Sequence, residues 1–264
     1  MSVFQALILG LFQGISEFLP ISSSGHLLVF KDLMGLSEVP ALFDVILHVA
    51  TLFSVLVVFR KRIVGIIVSS VRFICRQAKQ ADEENLAIVV PAIVATACTA
   101  LVGLMVDRID FSGQVKLVSG FFILTAVILV LSSFMKGGHG YRQLSIKQGV
   151  LIGVAQGIGV FPGISRAGIT ISAGLASGLR RDEAGEFAFL LVIPAIAGAL
   201  LLKLKDAGEL ASSVDPMPLL AGSLAAFVTG VLALMLLMPL VRKGKLAWFA
   251  FYLVPAGLIG LFLL

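Results

Sequence analysis

Charge is scarce in this chain. Lys, Arg, Asp and Glu make up 13% of its 264 residues, against about 25% in an ordinary soluble domain. That shortage excludes a surface that meets water all round. Cysteine is scarce too, with only Cys75 and Cys98. Both sit in apolar or basic-flanked segments without metal-ligand spacing, so they read as buried or membrane thiols rather than a disulfide scaffold or a zinc site. The chain has no Walker loop, no HExxH and no C-x-x-C. Familiar ATPases, zinc proteases and redox enzymes are thereby set aside. The N-terminus has no basic stretch before its apolar run and no small-residue cleavage pattern, so no removable signal peptide is expected.

Apolar residues are plentiful. They make up 59% of the chain, and mean hydropathy is +1.08. The composition describes an all-α, polytopic membrane protein. A net charge of +5 would suggest nucleic acid in a soluble protein. Here it reads as the excess of Lys and Arg that membrane proteins carry on their cytoplasmic loops, and no nucleic-acid partner is expected.

Sliding the sequence by 143 positions superposes Gln5, Gly10, Gln13, Gly14, Ile15, Phe18, Ile21, Ser22 and Gly25 on identical residues from Gln148 to Gly168. The unit is therefore duplicated. The first repeat covers 1–135, with a broken hairpin over 1–36 and spans over 42–59, 86–106 and 114–135. The second covers 144–264, with a hairpin over 146–179 and spans over 186–202, 218–239 and 246–263. Together they form a single membrane domain. The piece over 63–75, flanked by Arg72, Arg76 and Lys79, is expected at the interface. Each span is about as long as a 30 Å core requires. The hairpins are too polar to face lipid, so they are expected to be re-entrant and buried in protein.

On this plan fourteen Lys and Arg, from Arg60 to Lys245, fall on one side. Five fall on the other: Lys31, Arg108, Lys116, Lys203 and Lys205. The first side is cytoplasmic, and Arg166 alone stays within the membrane. The expected architecture is an inverted-topology repeat of about six full spans, with two re-entrant hairpins meeting near the midplane.

Chemistry-bearing residues gather at the two hairpin tips. The first tip, QGISEFLPISSSGH, holds Gln13, Glu17, Ser22, Ser23, Ser24 and His26. A carboxylate at membrane depth reads as a metal ligand, a general base or a turn residue at headgroup level. Serines before a helix offer hydroxyls and N–H groups to phosphate. His26 is a general acid or base, or a structural histidine. The second tip, PGISRAG, holds Gly163, Ser165, Arg166 and Gly168, with Thr170 one turn on. Arg166 offers a planar fork for phosphate oxygens, or a structural salt bridge to Glu17. Asp44 and His48, four apart on one helix face, can pair. They, Gln156 and Glu186 are candidates for supporting roles, weighed evenly against helix-end charges. Trp248 and Tyr252 near a basic terminus are expected as interfacial anchors.

These two tips, with FDVILHVATL and GEFAFLLVIPA, resemble the signatures of the undecaprenyl-diphosphate phosphatase family of the bacitracin-resistance type. The resemblance runs over essentially the whole chain. It implies a multi-pass enzyme of the cell inner membrane. The enzyme takes the terminal phosphate from a polyprenyl diphosphate and so recycles a carrier lipid for cell-wall synthesis. The implied catalytic residues are Glu17, Ser23, His26 and Arg166. Gln13, Ser22, Ser24, Gly163, Ser165, Gly168 and Thr170 would bind substrate. Glu17 would hold a divalent cation, Mg²⁺ or alternatively Ca²⁺. The nucleophile is water or Ser23. Where relatives carry Glu or Gln this chain has Gln13, and Ala167 replaces a serine usual in the second tip. The site is expected to open to the periplasmic or extracellular side, and a homodimer is compatible. The rival readings are a flippase for the same lipid and an ion-coupled carrier of small anions.

Overall fold

The computed structural model describes residues 1–36, 41–106, 108–111, 113–204 and 215–262. Most of the expected polar loop over 203–216, positions 107 and 112 of the expected turn, and residue 263 of the last expected span lie outside them. The described residues form α-helices with short 3-10 turns and no strand. One isolated bridge joins His139 and Leu179.

The helices are α1 (Val3–Phe18), α2 (Ser23–Leu33), α3 (Ala41–Val58), α4 (Arg60–Ile74), α5 (Glu83–Ala87) and α6 (Val89–Val106). They continue with α7 (Val115–Ser133), α8 (Ile146–Ile158), α9 (Arg166–Ala176), α10 (Arg181–Lys203), α11 (Pro216–Arg242) and α12 (Ala250–Phe262). Four stretches are long and apolar enough to cross a bilayer: Gln80–Val106, α7, α10 and α11. The pair α3 and α4 makes a fifth if its 77° bend is counted within one span. The expected span over 42–59 is thus the first arm of an elbow hinged at Phe59. The described part of the last expected span, Leu246–Phe262, is apolar and runs through a 3-10 turn at Leu246–Phe249 into α12. The protein is a multi-pass membrane protein, with four or five stretches of spanning length among the described residues, where the sequence suggests about six.

The outer surface fits that solvent. Phe251, Phe262 and Phe134 are each more than three-quarters exposed. Large apolar patches of this kind are uncommon on proteins surrounded by water.

The duplicated positions make corresponding local structure. Ser2 and Gln5 form a capping box at the start of α1, and Ser145 and Gln148 form one at the start of α8. Such boxes satisfy N–H groups that a helix start leaves free. Gly10 of α1 lies against the backbone of α11 at Gly222. Gly153 of α8 lies against the backbone of α6 at Ala95. Neither contact leaves room for a side chain, which is how small residues let helices approach closely in membranes.

Both units then break. Pro20 offers no N–H to continue α1, and Ser22 takes a left-handed backbone with φ 71°. Pro162 and Gly163 follow α8, with Gly163 at φ 97°. That value suits glycine and few other residues. The chain restarts as α2 and α9, and the two breaks touch. The Gly163 N–H donates to the Ser22 hydroxyl at 3.0 Å.

Candidate functional site

Four helix ends meet at the touching breaks. α1 ends with Glu17, and α8 ends at Gly159. α2 and α9 begin there with Ser23 and Arg166. They enclose a narrow cleft of about 10 Å³, room for little more than one water molecule, lined by Ser16, Glu17, Ser22–Ser24, Gly159 and Ile164–Arg166. Two helix N-termini thus point free N–H groups and the positive ends of their dipoles into one cleft.

Glu17 is the hub. It is buried, 7% exposed, within a hydrogen-bonded cluster. Its Oε2 accepts from the Ser23 hydroxyl at 2.7 Å and from the Gln13 amide at 3.1 Å. His48 Nδ1 lies 2.9 Å from the same oxygen and 2.7 Å from the Gln13 nitrogen. Arg166 approaches the other oxygen, Oε1, at 3.8 Å. The structural salt bridge and the anion clamp considered for Arg166 are therefore compatible. At that distance the pair is loose, and the guanidinium stays available to a ligand. Buried without a hydrogen-bond partner among the described residues are Gln13 Oε1 and Arg166 Nε.

The second tip is held from behind. Ser165 caps α9 by accepting the Gly168 N–H at 3.1 Å. Thr125 of α7 donates to the Gly163 carbonyl at 3.0 Å and accepts the Ser165 N–H at 3.1 Å. One hydroxyl thereby fixes both sides of the turn that presents Arg166. Thr170 turns its hydroxyl back to the Arg166 carbonyl at 2.7 Å, within its own helix.

The family model described as "Bacitracin resistance protein BacA" matches residues 6–259. The chain belongs to that family. Its relatives include a Treponema denticola protein named undecaprenyl-diphosphatase, 47% identical over 98% of this chain and 96% of the relative. Proteins of the same name from Carboxydothermus hydrogenoformans and Borrelia recurrentis are 39% and 37% identical, each over at least 95% of both chains. The match covers both tips and every helix between them.

Other candidate residues from the sequence fall elsewhere. His26 does not line the Glu17 cavity. Its Nδ1 lies 2.8 Å from the Ser22 carbonyl, and its Nε2 lies 2.6 Å from the Tyr252 hydroxyl. A carbonyl can only accept, so Nδ1 carries the proton and a neutral ring accepts from Tyr252 through Nε2. The ring packs against Phe122 and Tyr252 at centroid distances of 4.8 Å and 5.6 Å. Asp44 bonds to Lys31 at 2.9 Å and not to His48, which turns to Glu17 instead. Gln156, matched to Gln13 in the sequence, bonds to Thr99 and to the Leu191 carbonyl, and among the described residues to no carboxylate. Glu186 pairs with Arg62 at 2.8 Å in a separate polar cluster.

Sequence reasoning missed two partnerships. His48 reads as a partner for Asp44 because the two are four residues apart. Tyr252 reads as an interface anchor because it sits near a basic terminus. Only the folded packing of α3 beside α1, and of α12 beside α7 within hydrogen-bond reach of His26, places them.

Proposed function

We propose that the protein is an undecaprenyl-diphosphate phosphatase of the cell inner membrane. It releases the terminal phosphate of the lipid and leaves the lipid monophosphate for reuse as a carrier. The observation that carries this reading is the 2.7 Å hydrogen bond from Ser23 to Glu17, set between two helix N-termini and Arg166. A hydroxyl paired with a carboxylate, beside groups that bind phosphate, is the arrangement nucleophilic phosphoryl transfer requires. The names of the relatives support the same substrate.

In this reading Arg166 and the N–H groups opening α2 and α9 bind the terminal phosphate. Charge spreads over its oxygens during transfer, and fixed donors stabilise that charge without reorganising. Ser23 Oγ attacks the terminal phosphorus while its proton passes to Glu17 Oε2. The bond between that phosphorus and the bridging oxygen breaks, and the lipid monophosphate leaves with the electron pair. Once Glu17 has lost its proton to solvent, it takes one from water. The resulting hydroxide displaces Ser23, which regains a proton from Glu17. His26 acts as a positioning residue: its Nδ1–H holds the carbonyl of Ser22, the residue before the nucleophile.

The oxygen donors near Glu17 fit a hard divalent cation, Mg²⁺ or Ca²⁺. Glu17 Oε1 has only the loose Arg166 contact, and Gln13 Oε1 is buried without a partner. No group of three His, Cys, Asp or Glu forms a metal cage among the described residues. An ion here would take its remaining ligands from substrate phosphates and water, as Mg²⁺ does. When bound, it would offset phosphate charge beside Arg166. The basic side of the sequence places the first tip's entry opposite the cytoplasm, so the site would open to the outer face.

The test is phosphate release from purified full-length protein given undecaprenyl diphosphate and Mg²⁺, beside Glu17→Ala, Ser23→Ala and chelated samples. Release that disappears in all three supports the reading. Release that persists in Ser23→Ala moves the attack to water. No release from folded wild type sinks the phosphatase reading and favours a lipid flippase.

A further inference from the structure

A second and larger cavity lies at the basic end of the molecule. It has a volume of about 460 Å³ and shares no lining residue with the Glu17 cleft. Its walls are the α3–α4 elbow, Glu84 of α5, Tyr141, the start of α10 and the last turns of α11. Its size is that of a small-molecule site.

The cavity has two chemical faces. One is apolar, built from Val58, Phe59, Leu234, Met235 and Met238. The two methionines are unbranched and adapt to irregular ligand shapes. This face continues onto the outside of α11, where Leu232, Met235 and Leu236 are exposed to the bilayer. A hydrocarbon chain leaving the cavity therefore stays in an apolar medium.

The other face is charged, but its charges nearly balance. Arg62, Arg180 and Arg242 stand against Glu84, Asp182, Glu183 and Glu186, a sum of −1. Some of these charges are already matched. Arg62 donates to Glu186 at 2.8 Å and to Asn85, and its guanidinium stacks 5.2 Å from the Tyr141 ring. Arg180 pairs with Glu183 and Asp182. What remains is one unmet set of each sign. Arg62 Nη2 and Glu183 Oε2 are buried without a hydrogen-bond partner. Among the described residues, neither Arg242 nor Glu84 makes a side-chain hydrogen bond or ion pair. Burying an unmet donor or acceptor is costly, so a ligand that satisfies both is favoured. A headgroup that is only anionic meets a net negative wall.

We propose that this cavity binds a glycerophospholipid whose headgroup carries both a phosphate and a primary ammonium. The phosphate lies against Arg62 and Arg242. The ammonium lies against Glu183 and Glu84. One acyl chain follows the methionine wall out along α11. This inference is independent of the phosphatase reading, because none of these residues touches the Glu17 cluster.

The experiment uses delipidated full-length protein in detergent, with thermal unfolding and native mass spectrometry as readouts. Phosphatidylethanolamine should raise the melting temperature and remain bound. Phosphatidylglycerol, phosphatidylcholine and soluble phosphoethanolamine should do so far less. Arg242→Gln and Glu84→Gln, both at exposed positions, should each weaken phosphatidylethanolamine binding roughly ten-fold while leaving phosphate release in lipid-free micelles unchanged. Equal or greater stabilisation by phosphatidylglycerol overturns the zwitterionic reading. A full shift from soluble phosphoethanolamine overturns the lipid reading. Undiminished binding in both variants overturns the site.

Discussion

His26 Nε2 and the Tyr252 hydroxyl lie 2.6 Å apart, although 226 positions separate them in the sequence. The contact ties the last helix of the chain to the first broken pair. It also removes the imidazole from the list of groups facing Glu17. What His26 can do for the reaction it does through the Ser22 carbonyl, at the turn where the backbone is left-handed.

Tyr252→Phe is therefore expected to leave binding intact and to loosen the serine turn. The substitution removes one hydrogen bond worth about 1 kcal/mol. We expect kcat to fall roughly five- to ten-fold with KM unchanged. Steady-state phosphate release and thermal unfolding, measured on the same preparation, check this. Equal effects on KM and kcat/KM at unchanged kcat would show that Tyr252 serves binding instead.

Arg166→Lys keeps the charge and loses the fork. Arg166 reaches the cleft from the first turn of α9, where its carbonyl is held by Thr170. An ammonium there can make a point contact but not two parallel bonds to phosphate. Activity should fall about 100-fold, in the range seen when one transition-state donor is removed. Circular dichroism should be unchanged, since the Glu17 contact at 3.8 Å contributes little to the fold.

Glu17→Gln preserves shape while removing the charge and the base. The Ser23 proton then has no acceptor of sufficient basicity. Phosphate release should drop at least about 100-fold, the lower range for a positioned acid–base group. The variant should remain folded, because an amide oxygen can still accept from Ser23 and Gln13. Turnover assays with parallel thermal scans test both halves of the statement.

Gly10→Ala and Gly153→Ala probe the scaffold instead of the site. A Cβ at Gly10 would sit 2.8 Å from the Gly222 carbonyl carbon, and one at Gly153 would sit 2.8 Å from that of Ala95. Backbone cannot swing aside as a flexible side chain can, so each change should destabilise by about 1–3 kcal/mol. Gly120→Ala, where an added Cβ meets nothing within 4 Å, is the control and should be neutral or stabilising. Melting temperatures of the three variants decide it.

The correspondence between the stretches Gln5 to Gly25 and Gln148 to Gly168 was legible because its matched residues do matched jobs. Ser2 and Ser145 cap, Gly10 and Gly153 pack, and Ser22 and Ser165 bond to the N–H three residues on. The meeting of Glu17, Ser23 and Arg166 was legible too, since each is a polar group in an apolar setting with a break beside it. His48 was not. Its link to Glu17 crosses between two helices, and the local spacing to Asp44 gave a stronger but misleading cue. The turn at Phe59 was legible in part: the span expected over 42–59 ends there and the piece expected at the interface follows, but the 77° angle between them is set by the folded packing. The second cavity escaped for a similar reason. Its charges come from α4, α5, α10 and α11, and each group by itself reads as ordinary charge at a helix end.

The Ser22 hydroxyl that accepts the Gly163 N–H carries a consequence for how such a gene can change. It is a seam between the two broken helix pairs, and the carboxylate and the guanidinium arrive from opposite sides of it. An insertion or a bulky residue at either tip disturbs the other. The two tips thus differ in the groups they carry, with Glu17 matched to Val160 and Arg166 to Ser23, while the places where their helices break stay bound to each other.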